Sequence, residues 1–246
     1  MVDATKSNSM PLTESTQQSR RNFLRGSAAA VAGIVTAGVA VETAHSFLSP
    51  HSVLAQSTLT PDAALKELMD GNGRFVSGKT TAHEHDLTIL KQHLEEKQEP
   101  YAAVLSCADS RVPVEIIFDQ TIGHLFVTRV AGNIITPELI GSLEYGVAVL
   151  GTKVILVLGH SNCGAVKAAV AGKSVPGQIS VLYPHIQPAV DQAGPDYKAV
   201  TKANAKIQAK LLSQASTVVS EKIKEGGLKV VAGYYDIGSG AVTLLT

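Results

Sequence analysis

From Tyr101 onward the chain alternates short, nearly unbroken apolar runs with longer stretches in which apolar residues recur every three or four positions, and this alternation restricts its fold more than any other feature. Residues 101–106, 125–130, 153–158 and 228–232 are too short for helices and show little polar alternation, so each predicts a buried strand. Residues 113–118, 137–150 and 165–172 predict helices, the second starting at Thr136-Pro137-Glu138. Residues 196–225 predict one long helix with Val200, Ala203, Ile207, Leu211, Ala215 and Val218 as its inner stripe and Gly226-Gly227 as its stop. Residues 228–245 then predict a strand, a turn at Gly238-Ser239-Gly240 and a final strand. Strands alternating with helices imply crossover units, so the expected class is α/β: three layers, with a mainly parallel sheet flanked by helices.

Upstream the pattern is helical. Thr60-Pro61-Asp62 places a cap, a proline and an acid in the order of a helix start, and Leu65, Leu68 and Met69 follow at helical spacing until Gly71 and Gly73. Residues 86–97 predict a second helix with Leu87, Leu90 and Leu94 on one face. Together they predict a helical arm at 59–97 ahead of an α/β core at 98–246. One small chain would cover these apolar stripes poorly, so the arm is expected to pack on a partner subunit.

The first 55 residues have a different character. Ser19-Arg20-Arg21-Asn22-Phe23-Leu24-Arg25 precedes a charge-free run from Gly26 to Val41, the layout of an export signal. That run, about 16 residues, is short of the ~20 a spanning helix needs. Val53-Leu54-Ala55 offers a cleavage pattern and Ala44 a second, so a signal and spacer at 1–55 and a domain at 56–246 are expected, with membrane association only if the signal is retained. The arginine pair before Phe-Leu resembles the twin-arginine signal, which implies export of the folded protein to a periplasm or thylakoid lumen. Without residues 1–55 the chain carries 17 basic and 18 acidic side chains. No cationic field gathers phosphates, so nucleic acid is not an expected partner.

Chemistry concentrates at two strand ends. Cys107-Ala108-Asp109-Ser110-Arg111 follows the strand at 101–106, and His160-Ser161-Asn162-Cys163 follows the strand at 153–158, where open parallel sheets form ligand crevices. Spacing by two aims Cys107, Asp109 and Arg111 to one side while the chain stays extended. Cys163 stands at the start of the helix at 165–172, whose free N–H groups favour a thiolate. Two thiolates and one imidazole, with no further cysteine, make a three-ligand zinc set with an open position. On spacing alone, a Cys107–Cys163 disulfide, or two buried thiols beside a hydrogen-bonded histidine, stays open beside zinc.

Cys107-Ala108-Asp109-Ser110-Arg111-Val112-Pro113, Ala131-Gly132-Asn133, Ser142-Leu143-Glu144-Tyr145 and Gly159-His160-Ser161-Asn162-Cys163-Gly164-Ala165 resemble the beta-class carbonic anhydrases in order and spacing. The likeness runs from about Leu59 to the C-terminus. It implies reversible hydration of carbon dioxide to bicarbonate and a proton, with one Zn2+ per chain on Cys107, His160 and Cys163 and a catalytic dyad of Asp109 and Arg111. It further implies substrate contacts from Gln98, in some members across a dimer interface, and from Gly164, within a homodimer or an assembly of dimers. In some members the aspartate itself ligates zinc and closes the site. Ala108 stands where serine is commoner, a difference that touches no catalytic role.

The nucleophile expected from this resemblance is zinc-bound hydroxide. Two thiolates donate more charge than three imidazoles, so Asp109 is expected to compensate by accepting the water's proton in a hydrogen bond while Arg111 keeps it ionised. His83, His85, His93, His124 and His185 are proton carriers by residue type, and none is singled out. Three rivals are a carbonyl sulfide or carbon disulfide hydrolase on the same fold, a non-catalytic bicarbonate- or zinc-binding protein, and a redox protein using its two cysteines as a disulfide.

Overall fold

The computed structural model describes residues 57–82 and 98–246. The expected signal, the expected helix at 86–97 and His83, His85 and His93 lie outside the described residues. No described helix is long and apolar enough to cross a membrane.

Helix α1 (Pro61–Val76) begins as its sequence demands, with Thr60 Oγ1 accepting from the Ala63 N–H and Pro61 opening the first turn. Its apolar stripe, however, packs on its own chain. Ala64 and Leu68 are fully buried with Leu65 and Met69 beside them, against Ala102 and Val104 of strand β1 (Ala102–Ser106) and against the short helix α2 (Val114–Ile117). The expectation that this part of the arm needs a partner subunit to cover it is therefore corrected. Gly71 shows why the fit is close: a Cβ there would lie 1.9 Å from the Phe118 carbonyl oxygen. Asn72 then ties three segments together. Its amide donates to the Ile117 and Gly240 carbonyls at 3.1 and 2.9 Å and accepts from the Val242 N–H at 2.8 Å.

Asp119 fixes the segment after α1. Its buried carboxylate accepts from Arg74 Nε at 2.5 Å and from the N–H groups of Thr81 and Ala82, both at 2.9 Å. Burial pushes this carboxyl up, but the three donors outweigh it and hold it below its ordinary range. The contribution to stability is thus present at neutral pH and lost as pH falls through the depressed value. Asp119→Asn is expected to cost about 1–3 kcal/mol at pH 7. Urea unfolding of both proteins should show that gap closing below about pH 4.

The five-stranded sheet has the order β2-β1-β3-β4-β5. Strands β2 (Leu125–Arg129), β1, β3 (Val154–His160) and β4 (Lys229–Tyr235) run parallel, and β5 (Val242–Leu245) closes antiparallel on β4. Alternate residues feed the two faces. Ala102, Val104, Leu156 and Leu158 meet α1 and α2, while Ala103, Leu105, Ile155 and Val157 meet α3 (Pro137–Ala148), α6 (Tyr197–Ala215) and α7 (Thr217–Lys224). This is the expected three-layer, mainly parallel α/β architecture. Because β1 leads to β2 on its outer side and β3 leads to β4 on the opposite side, the chain leaves β1 and β3 in diverging directions, and a crevice opens at their C-terminal ends.

Two expectations about helices are corrected. Residues 196–225 form two helices, broken at Ser216 (φ −102°, ψ 120°), whose Oγ accepts from the Val219 N–H and donates to Glu144 on α3 at 2.6 Å. A serine inside a helical pattern served as a cap. The inner stripe of α6 is also rotated: Leu212 is buried and Leu211 is 39% exposed, while Asn204 and Gln208 sit inside the buried face. Residues 173–195, for which the sequence predicted no element, hold a short 3₁₀ turn and α5 (Tyr183–Ala193), hidden by Pro184 and Pro188.

Candidate metal centre

Cys107 is the first residue beyond β1, His160 the last of β3, and Cys163 the N-cap of α4 (Gly164–Ala171). The β1–β3 pairing brings the two loops to one crevice, and the Sγ atoms of the cysteines and a ring nitrogen of His160 lie within 4.8 Å of one another. All three side chains are buried, and both cysteines are free. The disulfide reading is thereby excluded from this structure.

The His160 ring is oriented by its neighbours. Nδ1 donates to the Ser161 carbonyl at 2.9 Å, which leaves Nε2 as a bare lone pair, buried and without a hydrogen-bond partner. A buried acceptor in that condition is costly unless something electrophilic meets it. The loop behind it is pinned to β4: the Ser161 N–H donates to the Tyr235 carbonyl at 2.8 Å, and Ser161 Oγ accepts from the Ile237 N–H at 2.9 Å.

The two sulfurs share one hydrogen bond unevenly, with Cys107 as the thiolate and Cys163 as the thiol that donates to it. Hydrogen bonding from the Cys163 thiol holds Cys107 well down against the opposing effect of burial, with further help from the Gly132 N–H at 3.3 Å. Cys163 is itself pushed up, by its hydrogen bond to Cys107 and by burial; the N–H groups of Ala165 and Val166 at the mouth of α4 act the other way, as expected, but are outweighed. Two cysteine sulfurs and one imidazole, buried together around an orphaned lone pair, fit a borderline-soft divalent ion such as zinc, which binds cysteine as its thiolate.

Asp109 and Arg111 meet, though not through an extended chain. The backbone turns after Cys107, with the Val112 N–H donating to the Asp109 carbonyl. That turn folds the guanidinium back onto the carboxylate. Arg111 Nε and Nη2 reach Oδ1 and Oδ2 at 2.9 and 2.8 Å, and the Arg111 N–H adds a third bond to Oδ1 at 3.0 Å. The expectation of three side chains aligned by spacing is corrected to a turn that pairs two of them. This fork holds the Asp109 carboxyl far below the usual carboxylate range. Asp109 Oδ2 stands 3.9 Å from His160 Nε2, beside the ligand trio rather than within it.

Gly164 opens α4 directly after Cys163, and a Cβ there would meet nothing within 4 Å. Gln98 is exposed and precedes β1, at the opposite end of that strand from Cys107. Within one chain it stands away from the thiolates. Of the described histidines, His124 packs edge-on to Tyr101 and His185 lends its carbonyl to Gln208. Sequence reasoning missed Arg129, which ends β2 and donates to the carbonyls of Cys107 and Asp109 at 3.1 and 2.6 Å, bracing the loop that carries both. It also missed Asn204 and Gln208, whose only signal was a pair of amides four residues apart on a face otherwise apolar.

The carbonic anhydrase family model matches residues 102–242. Carbonic anhydrase 2 of Mycobacterium tuberculosis is 36% identical over 192 residues, spanning 75% of this chain and 92% of that protein. Among solved structures, a beta-carbonic anhydrase of Aspergillus fumigatus aligns with a TM-score of 0.60 at 27% identity, over 75% of this chain and 89% of that one. Tetrameric beta-carbonic anhydrases of Sordaria macrospora give a TM-score of 0.58 at 25% identity, over 74% and 96%.

Proposed function

Because the chain belongs to the beta-class carbonic anhydrase family, whose zinc enzymes hydrate carbon dioxide reversibly to bicarbonate and a proton, we propose that Cys107, His160 and Cys163 hold its zinc and that Asp109 and Arg111 are its working dyad. The observation that carries this is the buried, partnerless Nε2 of His160 between two thiols and facing an ionised carboxylate. Zinc bound there supplies Lewis acidity, which brings the ionisation of a coordinated water toward neutrality.

The chain's own groups do the rest. Asp109, kept ionised by the Arg111 fork, accepts a proton in a hydrogen bond from the attacking water and so aims the remaining lone pair at the carbon of carbon dioxide. Its engagement with Arg111 also keeps the carboxylate from serving as a fourth ligand. Arg129 holds the Cys107 and Asp109 carbonyls and so fixes the distance between ligand and dyad. Gly164, lacking a side chain, leaves room for the linear substrate beside Cys163. A substrate role for Gln98 requires the partner subunit of a homodimer, since in its own chain it lies at the far end of β1. The tetrameric relatives of Sordaria macrospora support such association.

Zinc content of the purified protein combined with stopped-flow hydration of carbon dioxide tests the reading. Zinc near one per chain and rapid hydration are expected, with carbonyl sulfide and carbon disulfide turned over far more slowly in parallel assays. A metal-free protein with full activity would refute the assignment. Export through a twin-arginine signal to a periplasm or thylakoid lumen is the companion proposal, supported by Arg20, Arg21 and the apolar run after them. Fusing residues 1–55 to a reporter that is active only after folded export checks it.

A further inference from the structure

We propose that Asn204 and Gln208 of α6 are positioning residues of the metal centre, holding the loop at 130–135 so that the Gly132 N–H points at Cys107 Sγ. The inference rests on the assignment of Cys107 as a zinc ligand.

Both amides are buried, at 0% and 1% exposure, one turn apart on the helix. Asn204 Nδ2 donates to the Gly132 carbonyl at 2.9 Å. Gln208 Oε1 accepts from the Ile135 N–H at 2.8 Å, and its Nε2 donates to Asn204 Oδ1 at 3.1 Å and to the His185 carbonyl on α5 at 2.9 Å. The loop is thus gripped at Gly132 and Ile135 by two amides that are themselves linked and anchored to a second helix. The N–H of Gly132, the same residue whose carbonyl Asn204 holds, donates to the Cys107 sulfur at 3.3 Å, and among the described residues it is the backbone donor that reaches this sulfur from outside the Cys107 and Cys163 loops.

Gly132 cannot be held by a side chain of its own. Its φ is +78°, and a Cβ would lie 2.9 Å from Ile186 Cδ1 and 3.2 Å from Ala165 Cβ. Its carbonyl is the remaining handle, and Asn204 takes it. An N–H aimed at a thiolate draws charge from the sulfur, so the sulfur donates less to the metal. In a site with two thiolates that effect favours the Lewis acidity the reaction needs.

The test uses cobalt-substituted protein and the variants Asn204→Leu and Gln208→Met, which keep approximate shape and remove the amides. The thiolate-to-cobalt charge-transfer band is expected to move to lower energy in both, because a sulfur without the N–H gives up its charge to the metal more easily. Asn72→Leu, which breaks three hydrogen bonds remote from the thiolates, should lower the melting temperature without moving the band. Bands in both variants coincident with the parent's would overturn the proposal. If Asn204→Leu does not fold, Gln208→Met decides alone. A parent protein whose cobalt form shows no thiolate band would instead sink the ligand assignment itself.

Discussion

Replacing His160 with alanine is expected to leave the purified protein close to metal-free and to drop carbon dioxide hydration to the uncatalysed rate. The imidazole supplies the one neutral donor of the trio, and its Nε2 has no other partner to satisfy it. Without it, two sulfurs remain, and two-coordinate protein sites hold zinc poorly. The loss should exceed the roughly 10- to 100-fold in affinity that removing an outer hydrogen-bond partner costs. A second readout follows from the sulfurs. Thiolates held by a metal resist thiol reagents, so Cys107 and Cys163 should react in the denatured variant without prior chelation, whereas native parent protein should need its metal stripped first. Elemental analysis, thiol titration and stopped-flow hydration measure the three outcomes. A variant that kept its zinc and its turnover would show that His160 is not a ligand.

Asp109→Asn should behave differently, retaining zinc while turnover falls by about 10²- to 10⁴-fold, the range for a displaced acid–base group. Asparagine has the same outline but replaces one acceptor oxygen with an N–H2 group. The Arg111 fork needs both oxygens, at 2.9 and 2.8 Å, so the amide nitrogen would confront a guanidinium that also only donates. The group that orients water is lost and the arginine is released in the same substitution. Metal content distinguishes this from a ligand defect: unchanged zinc with lost turnover supports the assigned role, and unchanged zinc with unchanged turnover refutes it.

How much of this was legible in the sequence varied by element. The four parallel strands were readable because each is a near-continuous apolar run bounded by polar or glycine residues, and burial on both faces demands that composition. Cys163 as a helix cap was readable because its neighbours Gly164 and Ala165 begin a helical pattern. Ser216 was misread, since an apolar period continues across it and only tertiary contact with Glu144 selects the cap. The stripe of α6 was misplaced because apolarity was taken as the sign of burial. Asn204 and Gln208 are buried by virtue of what they bind, and their partners lie more than seventy residues away at Gly132 and Ile135. For the same reason spacing alone left a disulfide open at Cys107 and Cys163. Their chemistry was set by which strand ends adjoin, a property of topology and not of local pattern.

The order of the strands also governs when in its life the protein can acquire its ion. Cys107 leaves β1 and His160 ends β3, and these strands must lie side by side in register before the donors are neighbours at all. A nascent chain, or one still searching for its sheet, offers at most His160 and Cys163 from a single loop. On the proposed ligand set, the complete site exists only once β1 and β3 have paired, in contrast to zinc fingers, where the metal itself drives the chain to fold.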